Sequence, residues 1–174
     1  PKTVVSNEFS RINAWRVEVS ELLSVIEKSG NARLLCEGRL SRDLAESFLL
    51  AQMRNAAAVL GTPLPSVPPA LLLEVRATRD LARRFDQVEL ELRALLTESS
   101  FEDMLGNTAR ANELSESARK KAEILRYADI ERAANRQLAG EGRSSRTVAD
   151  IAALKSGGFA EAFAGQSDDL LEEQ

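Results

Sequence analysis

The sequence lacks histidine and has few of the other residues from which enzymes build their sites. Its 174 residues include one cysteine, one tyrosine and one tryptophan. Without histidine the chain can form neither a Ser-His-Asp triad nor a Cys-His pair, and it lacks the Glu-x-x-His pairs of a di-metal helical bundle. No glycine pattern matches a dinucleotide-binding or Walker phosphate loop. We therefore predict no catalytic residue, no metal site and no cofactor, and we expect a protein that is not an enzyme.

The single cysteine indicates the compartment. Cys36 has no partner for an internal disulfide, which is typical of an intracellular protein, either cytoplasmic or nuclear. Its neighbours Leu34 and Leu35 favour a buried small hydrophobic side chain over a reactive thiol. No apolar run reaches the roughly 18 residues that span a bilayer, so we expect no membrane contact. The two ends of the sequence are typical of a fragment of a larger protein.

Composition and charge point to a helical protein. Hydrophobic residues make up 44% of the chain and charged residues 29%, while aromatic residues are scarce at 5%. Such a mixture favours helices that pack through small and aliphatic side chains. The net charge of −4 provides no overall attraction for nucleic acid or an anionic membrane. A nucleic-acid role would therefore require a local basic patch.

The strongest pattern lies in residues 8–28, which contain neither glycine nor proline. Apolar residues there alternate between spacings of three and four, as in the seam of a helix that packs along another helix. We expect Trp15 to be buried at that contact. The seam comprises Ile12, Trp15, Val19, Leu22 and Ile26.

A second helix is predicted to start at Ser41, after a link over residues 30–40, and to end at Gly61. Residues 62–69 contain four prolines, and they are interpreted as a stiff turn with Ser66 capping the next helix rather than as a polyproline ligand. The expected inner face of the second helix is Leu44, Phe48, Ala51, Ala56 and Val59.

Two further helices are predicted, over residues 70–96 and 101–138. The first has a broad apolar stripe that runs from Leu71 to Leu95. Ser99 and Glu102 resemble a capping box, so a new helix is expected to begin at residue 101, with Gly106 as a weak point.

These segments predict an all-α protein, an elongated antiparallel bundle of about four long helices with coiled-coil-like packing. The bundle is expected over residues 1–139, and a linker with a looser C-terminal helical segment over 140–174. Phe159 and Phe163 lie four residues apart in that segment. They could pack on the bundle or anchor a short helix to another protein, and we predict partner binding.

A basic strip is the alternative candidate site. Carboxylates are interleaved with its residues at helical spacing, which favours a solvated mixed-charge face over a nucleic-acid surface. The two halves of the strip would join only if their helices were neighbours. Its residues are Arg76, Arg79, Arg83, Arg84, Arg119, Lys120, Lys121 and Arg126.

Residues 15–96 resemble one unit of the helical, spectrin-like region of JARID-type JmjC histone lysine demethylases. The resemblance rests on the inward Trp15, the Leu40-Ser41 helix start, the Leu64-Pro65 turn and the periodic apolar positions that follow. It implies a scaffold segment and carries over no catalytic residue.

The sequence thus predicts a noncatalytic helical scaffold or protein-interaction domain, with a protein partner or self-association. A helical module that binds nucleic acid through the basic strip is the less favoured alternative.

Overall fold

A computed structural model describes residues 2–140, with side chains from residue 10 onward. Within this part the chain is all-α and contains no strand, as predicted. There are six helices instead of about four. They are α1 (Lys2–Lys28), α2 (Ala32–Leu60), α3 (Pro69–Arg84), α4 (Val88–Met104), α5 (Thr108–Leu125) and α6 (Ala128–Leu138).

Helix α4 is the centre of the packing, because it contacts α2, α3, α5 and α6. Its apolar side chains contribute to two separate cores. One core is formed with α2 and α3, and the other with α5 and α6. The first comprises Leu50, Val67, Val75, Phe101 and Met104, and the second comprises Leu92, Leu95, Leu96, Leu114, Ala118, Ala122, Ile130 and Ala134.

Three turns of the same geometry connect α3 to α6. Each places one residue in the left-handed region, at positions 86, 106 and 126, an interval of 20 residues. The φ values are 54° at Asp86, 85° at Gly106 and 62° at Arg126. In every turn the next residue donates its N–H to a carbonyl five residues earlier, the long bond of a Schellman motif. The bonds measure 2.9 Å and run from Gln87, Asn107 and Tyr127 to Ala82, Glu102 and Ala122.

These turns correct two of the predicted helices. The one expected over residues 70–96 ends at Arg84, and the one expected over 101–138 is divided at Gly106 and again at Arg126. Ser99 caps no helix. It is buried within α4, where its hydroxyl donates to the Ala111 carbonyl at 2.8 Å and lies 2.8 Å from the Ser115 hydroxyl. That pairing with α5 satisfies the hydroxyl, so α4 continues through it.

The start of α2 also differs from the prediction. Asn31, not Ser41, is the N-cap, and its side chain accepts a hydrogen bond from the Leu34 N–H at 3.0 Å. The predicted link over residues 30–40 is therefore mostly helix. Gly38 lies within that helix. A Cβ atom at this position would meet the side chain of Leu23 at 2.9 Å. The glycine allows α1 to approach α2 closely.

The end of α2 and the turn after it match the sequence more closely. Gly61 adopts φ 66° and ends the helix, as predicted. α3 then begins at Pro69, but no side chain caps it, so Ser66 is not the expected cap. Val67 is buried in the α2–α3–α4 core, and the Pro65 carbonyl accepts a hydrogen bond from Arg54 at 2.8 Å. These contacts tie the proline-rich turn to the fold.

The inner face predicted for α2 is mostly wrong, since of its five residues only Ala51 packs against a core. Leu44, Phe48 and Val59 are exposed, and polar residues face inward in their place. The buried polar side chains are Asp43, Glu46 and Ser47. Glu46 and Asp43 turn inward because neighbouring helices supply partners: Arg16 bonds to Glu46, and Thr78 bonds to Asp43 at 3.0 Å.

Candidate interaction surface

Helix α1 packs mainly on α2, and neither apolar core includes an α1 residue. Its predicted seam is consequently only partly covered. Ile12, Trp15, Val19 and Ile26 are half-buried, and Leu22 is 59% exposed. Leu23, which the seam did not include, is the buried residue. Trp15, predicted to be buried at the helix–helix contact, is only partly buried, because one neighbouring helix cannot enclose so large a ring.

Helix α2 carries a second apolar stripe that no other described helix covers. Leu34, Leu44, Phe48 and Val59 are 44%, 48%, 64% and 52% exposed. At about 100° of rotation per residue these positions fall within an arc of roughly 80°. An apolar stripe of this kind normally faces another helix.

The contacts between α1 and α2 place both stripes on one side of the hairpin. Ile26 lies against Gly38, whereas Glu27 pairs at 3.2 Å with Arg39, which lies about 40° around α2 from the buried Asp43. Helical rotation then puts the rest of the α1 seam next to the α2 stripe. We call this combined surface the hairpin face. It comprises Trp15, Leu22, Val25, Ile26, Leu34, Leu44, Phe48 and Val59.

Ion pairs hold the hairpin together beneath this face. Arg16 donates two hydrogen bonds to Glu46, at 2.6 and 2.7 Å, and the Glu46 side chain is only 8% exposed. Two-bond arginine–carboxylate pairs fix the relative orientation of their helices. The hairpin is thus held in register while the apolar face stays open.

The residues of the basic strip are largely neutralised. Six of the eight have a carboxylate within ion-pair distance, and only Arg84 and Arg126 have none in residues 10–140. The pairs are Arg76 with Glu98 and Glu102, Arg79 with Glu98 and Asp80, Arg83 with Glu91 and Asp80, Arg119 with Glu116 and Glu123, Lys120 with Glu116, and Lys121 with Glu91.

The two halves of the strip meet at one point. α3 and α5 pack on either side of α4, and Glu91 of α4 accepts from Arg83 at 2.8 Å and from Lys121 at 3.4 Å. At another point of the α3–α4 contact, Arg76 and Arg79 bond to Glu98, whose side chain is 1% exposed. These arginines satisfy buried carboxylates at a helix–helix contact. Their charge is therefore directed into the fold.

The same pairing lowers the pKa of an acid and raises that of a base in the strip. Hydrogen bonds from Arg119 are the main reason that the pKa of Glu116 falls to about 2. Glu98, by hydrogen bonding, raises the pKa of Arg76 above its ordinary value. Both shifts favour the charged forms, so the pairs stay ionised at neutral pH.

Other candidate chemistry receives little support in the described part. Cys36 is fully buried, as expected for a small hydrophobic residue, and burial raises the pKa of its thiol. No group of three or more potential metal ligands occurs in residues 2–140. None of the helices there is long and apolar enough to cross a bilayer. Phe159 and Phe163, together with the rest of the predicted C-terminal segment, lie outside the described residues.

No protein-family model, curated protein or solved structure matches the chain. The function must therefore be argued from the surface itself.

Proposed function

We propose that this chain is a noncatalytic helical scaffold that binds protein through the hairpin face. The observation that carries the proposal is the distribution of exposed large apolar side chains. Six of the fourteen in the described part lie on the hairpin face: Leu22, Val25, Leu34, Leu44, Phe48 and Val59. Apolar side chains gathered on one surface are typical of protein–protein interfaces.

The pattern of the face also suits a helical partner. Both stripes repeat at helical spacing, so the ridges of another helix can pack between them. Trp15 and Phe48 provide the large aromatic surface that dominates binding energy at interfaces. The resemblance to a spectrin-like scaffold region agrees with this proposal. An intracellular location remains part of the proposal.

Nucleic-acid binding through the basic strip is the competing proposal. Phosphate contacts need cations that are free to pair with phosphate, and six of the eight residues are already paired with carboxylates. Arg84 and Arg126, which have no carboxylate partner within residues 10–140, are too few for strong binding. We therefore favour the protein partner.

The test is quantitative capture of partners by the intact chain, with and without nuclease. We compare the wild type with a Leu22→Glu, Phe48→Glu double variant, and with Leu73→Glu, Ile124→Glu as the matched control. Leu73 and Ile124 are also exposed, at 65% and 79%, but they lie on α3 and α5. Capture that survives nuclease and is lost only in the first variant supports the proposal. Binding that nuclease abolishes, or that falls steeply with salt, supports the nucleic-acid alternative.

The predicted role of Phe159 and Phe163 is tested separately. In a Phe159→Ala, Phe163→Ala variant, lost capture with an unchanged melting temperature supports partner binding by this segment. A large fall in melting temperature with capture retained would instead mean that the two rings pack on the bundle.

A further inference from the structure

We propose that the hairpin face binds a second copy of this chain, so that two α1–α2 hairpins pair into a four-helix bundle. This inference rests on the proposed function, because it names the partner of the same surface. Three properties of the face bear on whether a second copy fits it: its size, its apolar pattern and its charge.

The size of the face is near the lower limit for a specific dimer interface. The face spans residues 15–26 of α1 and 34–59 of α2. At 1.5 Å per residue these stretches are about 18 Å and 39 Å long, and each helix is about 10 Å wide. The face therefore covers roughly 570 Å², close to the ~600 Å² that each partner buries in the smaller specific interfaces.

The pattern of the face suits a two-fold arrangement. An antiparallel hairpin presents two parallel apolar stripes, and a two-fold rotation places each stripe against a stripe of the other copy. The result is a four-helix bundle, the arrangement in which seams of this spacing are normally enclosed. The half-buried Trp15 and the exposed Leu22 and Phe48 would then become core residues.

Charge does not oppose this pairing. Residues 10–60 contain seven arginine and lysine residues and six carboxylates, a net charge of +1. Two such surfaces have little repulsion when they meet. Arg16 and Glu46, which pair across the hairpin, already neutralise each other. The remaining charged side chains of the hairpin can stay at the rim of the dimer, in contact with solvent.

Sedimentation equilibrium of the intact chain tests this inference, over protein concentrations from about 1 μM to 1 mM. We expect the wild type to move from 19.0 kDa toward twice that mass as the concentration rises. The Leu22→Glu, Phe48→Glu variant should dimerise at least about 100-fold more weakly. The Leu73→Glu, Ile124→Glu control carries the same change in charge and should dimerise like the wild type.

Circular dichroism checks that each variant is folded. We expect all of them to fold, because the four substituted positions are largely exposed. A wild-type chain that stays monomeric throughout overturns the inference, as does a dimer that Leu22→Glu, Phe48→Glu leaves intact. If the chain is monomeric but captures another protein through the same two residues, the inference fails while the proposed function stands. If the chain dimerises through this face but captures no other protein there, the dimer inference is supported and binding of a different protein is not.

Discussion

Arg16 of α1 and Glu46 of α2 form a two-bond ion pair that joins the helices of the hairpin, with N–O distances of 2.6 and 2.7 Å. The two residues differ in their surroundings, since the Arg16 side chain is 47% exposed and that of Glu46 only 8%. Removing the arginine therefore leaves a carboxylate that is largely shielded from water and has lost its partner.

We predict that Arg16→Met lowers the free energy of unfolding by about 1–2 kcal/mol, because Glu46 then loses two charge-assisted hydrogen bonds. The Arg16→Met, Glu46→Met double variant should lose less than the sum of the two single changes. Urea unfolding of the four proteins measures this coupling. Purely additive losses would mean that the pair does not hold the hairpin together.

Asp43 should make stability depend on pH. Burial raises the pKa of its carboxyl above the ordinary 3.8, although hydrogen bonds from Arg42 and Thr78 oppose the rise. The folded state therefore holds this proton more tightly than the unfolded state. As pH rises from about 3.8 through the folded-state pKa, the contribution of Asp43 to the free energy of unfolding should fall.

The control for that prediction is Asp43→Asn, which cannot titrate and can still accept a hydrogen bond from Thr78. At each pH the free energy of unfolding of the variant is subtracted from that of the wild type. This difference should decline over the pH window and be constant above it. Urea unfolding at a series of pH values measures the difference. A difference that is flat across the window, or that rises with pH, would contradict the prediction.

Arg126 adopts φ 62°, a conformation that costs a side-chain-bearing residue about 1–2 kcal/mol. We predict that Arg126→Gly raises the free energy of unfolding by about 0.5–1 kcal/mol, since glycine relieves the strain but adds entropy to the unfolded chain. Arg132→Gly, at an exposed position within α6, is the matched control and should lower it by about 1 kcal/mol. Thermal unfolding of both variants gives the comparison. Destabilisation by Arg126→Gly would rule out strain at this turn.

Trp15→Ala should cost about 1–2 kcal/mol of unfolding free energy in the monomer, less than the 3–5 kcal/mol typical of a fully buried large residue. The reason is that α2 covers only part of the ring. Denaturant unfolding at low protein concentration measures the loss. A cost above about 4 kcal/mol would show that the side chain belongs to the core of the monomer.

Much of the secondary structure could be predicted where glycine and proline mark its limits. Gly30 and Gly61 end α1 and α2, and Pro69 begins α3. The turns at Asp86 and Arg126 could not be predicted in the same way, because neither residue is a glycine and the left-handed conformation is uncommon for both. The one available signal was the interval of 20 residues on either side of Gly106.

The orientation of α2 could not be predicted from the sequence for a different reason. An apolar stripe normally faces inward, and Leu44, Phe48 and Val59 form one. Asp43 and Glu46 take the inner positions only because Thr78 and Arg16, distant in sequence, supply their hydrogen bonds. Tertiary partners of this kind cannot be recognised from local spacing. The exposed stripe that defines the candidate site was therefore assigned to the core.

The most direct measurement of the central claim uses Trp15, the single tryptophan of the chain, as a reporter on the hairpin face. Acrylamide quenching of its fluorescence is followed as protein concentration rises, in the wild type and in Leu22→Glu, Phe48→Glu. If association covers the face, the quenching constant of the wild type falls with concentration while that of the variant stays constant. Association that leaves the quenching constant of the wild type unchanged would contradict the claim that the hairpin face is the binding surface.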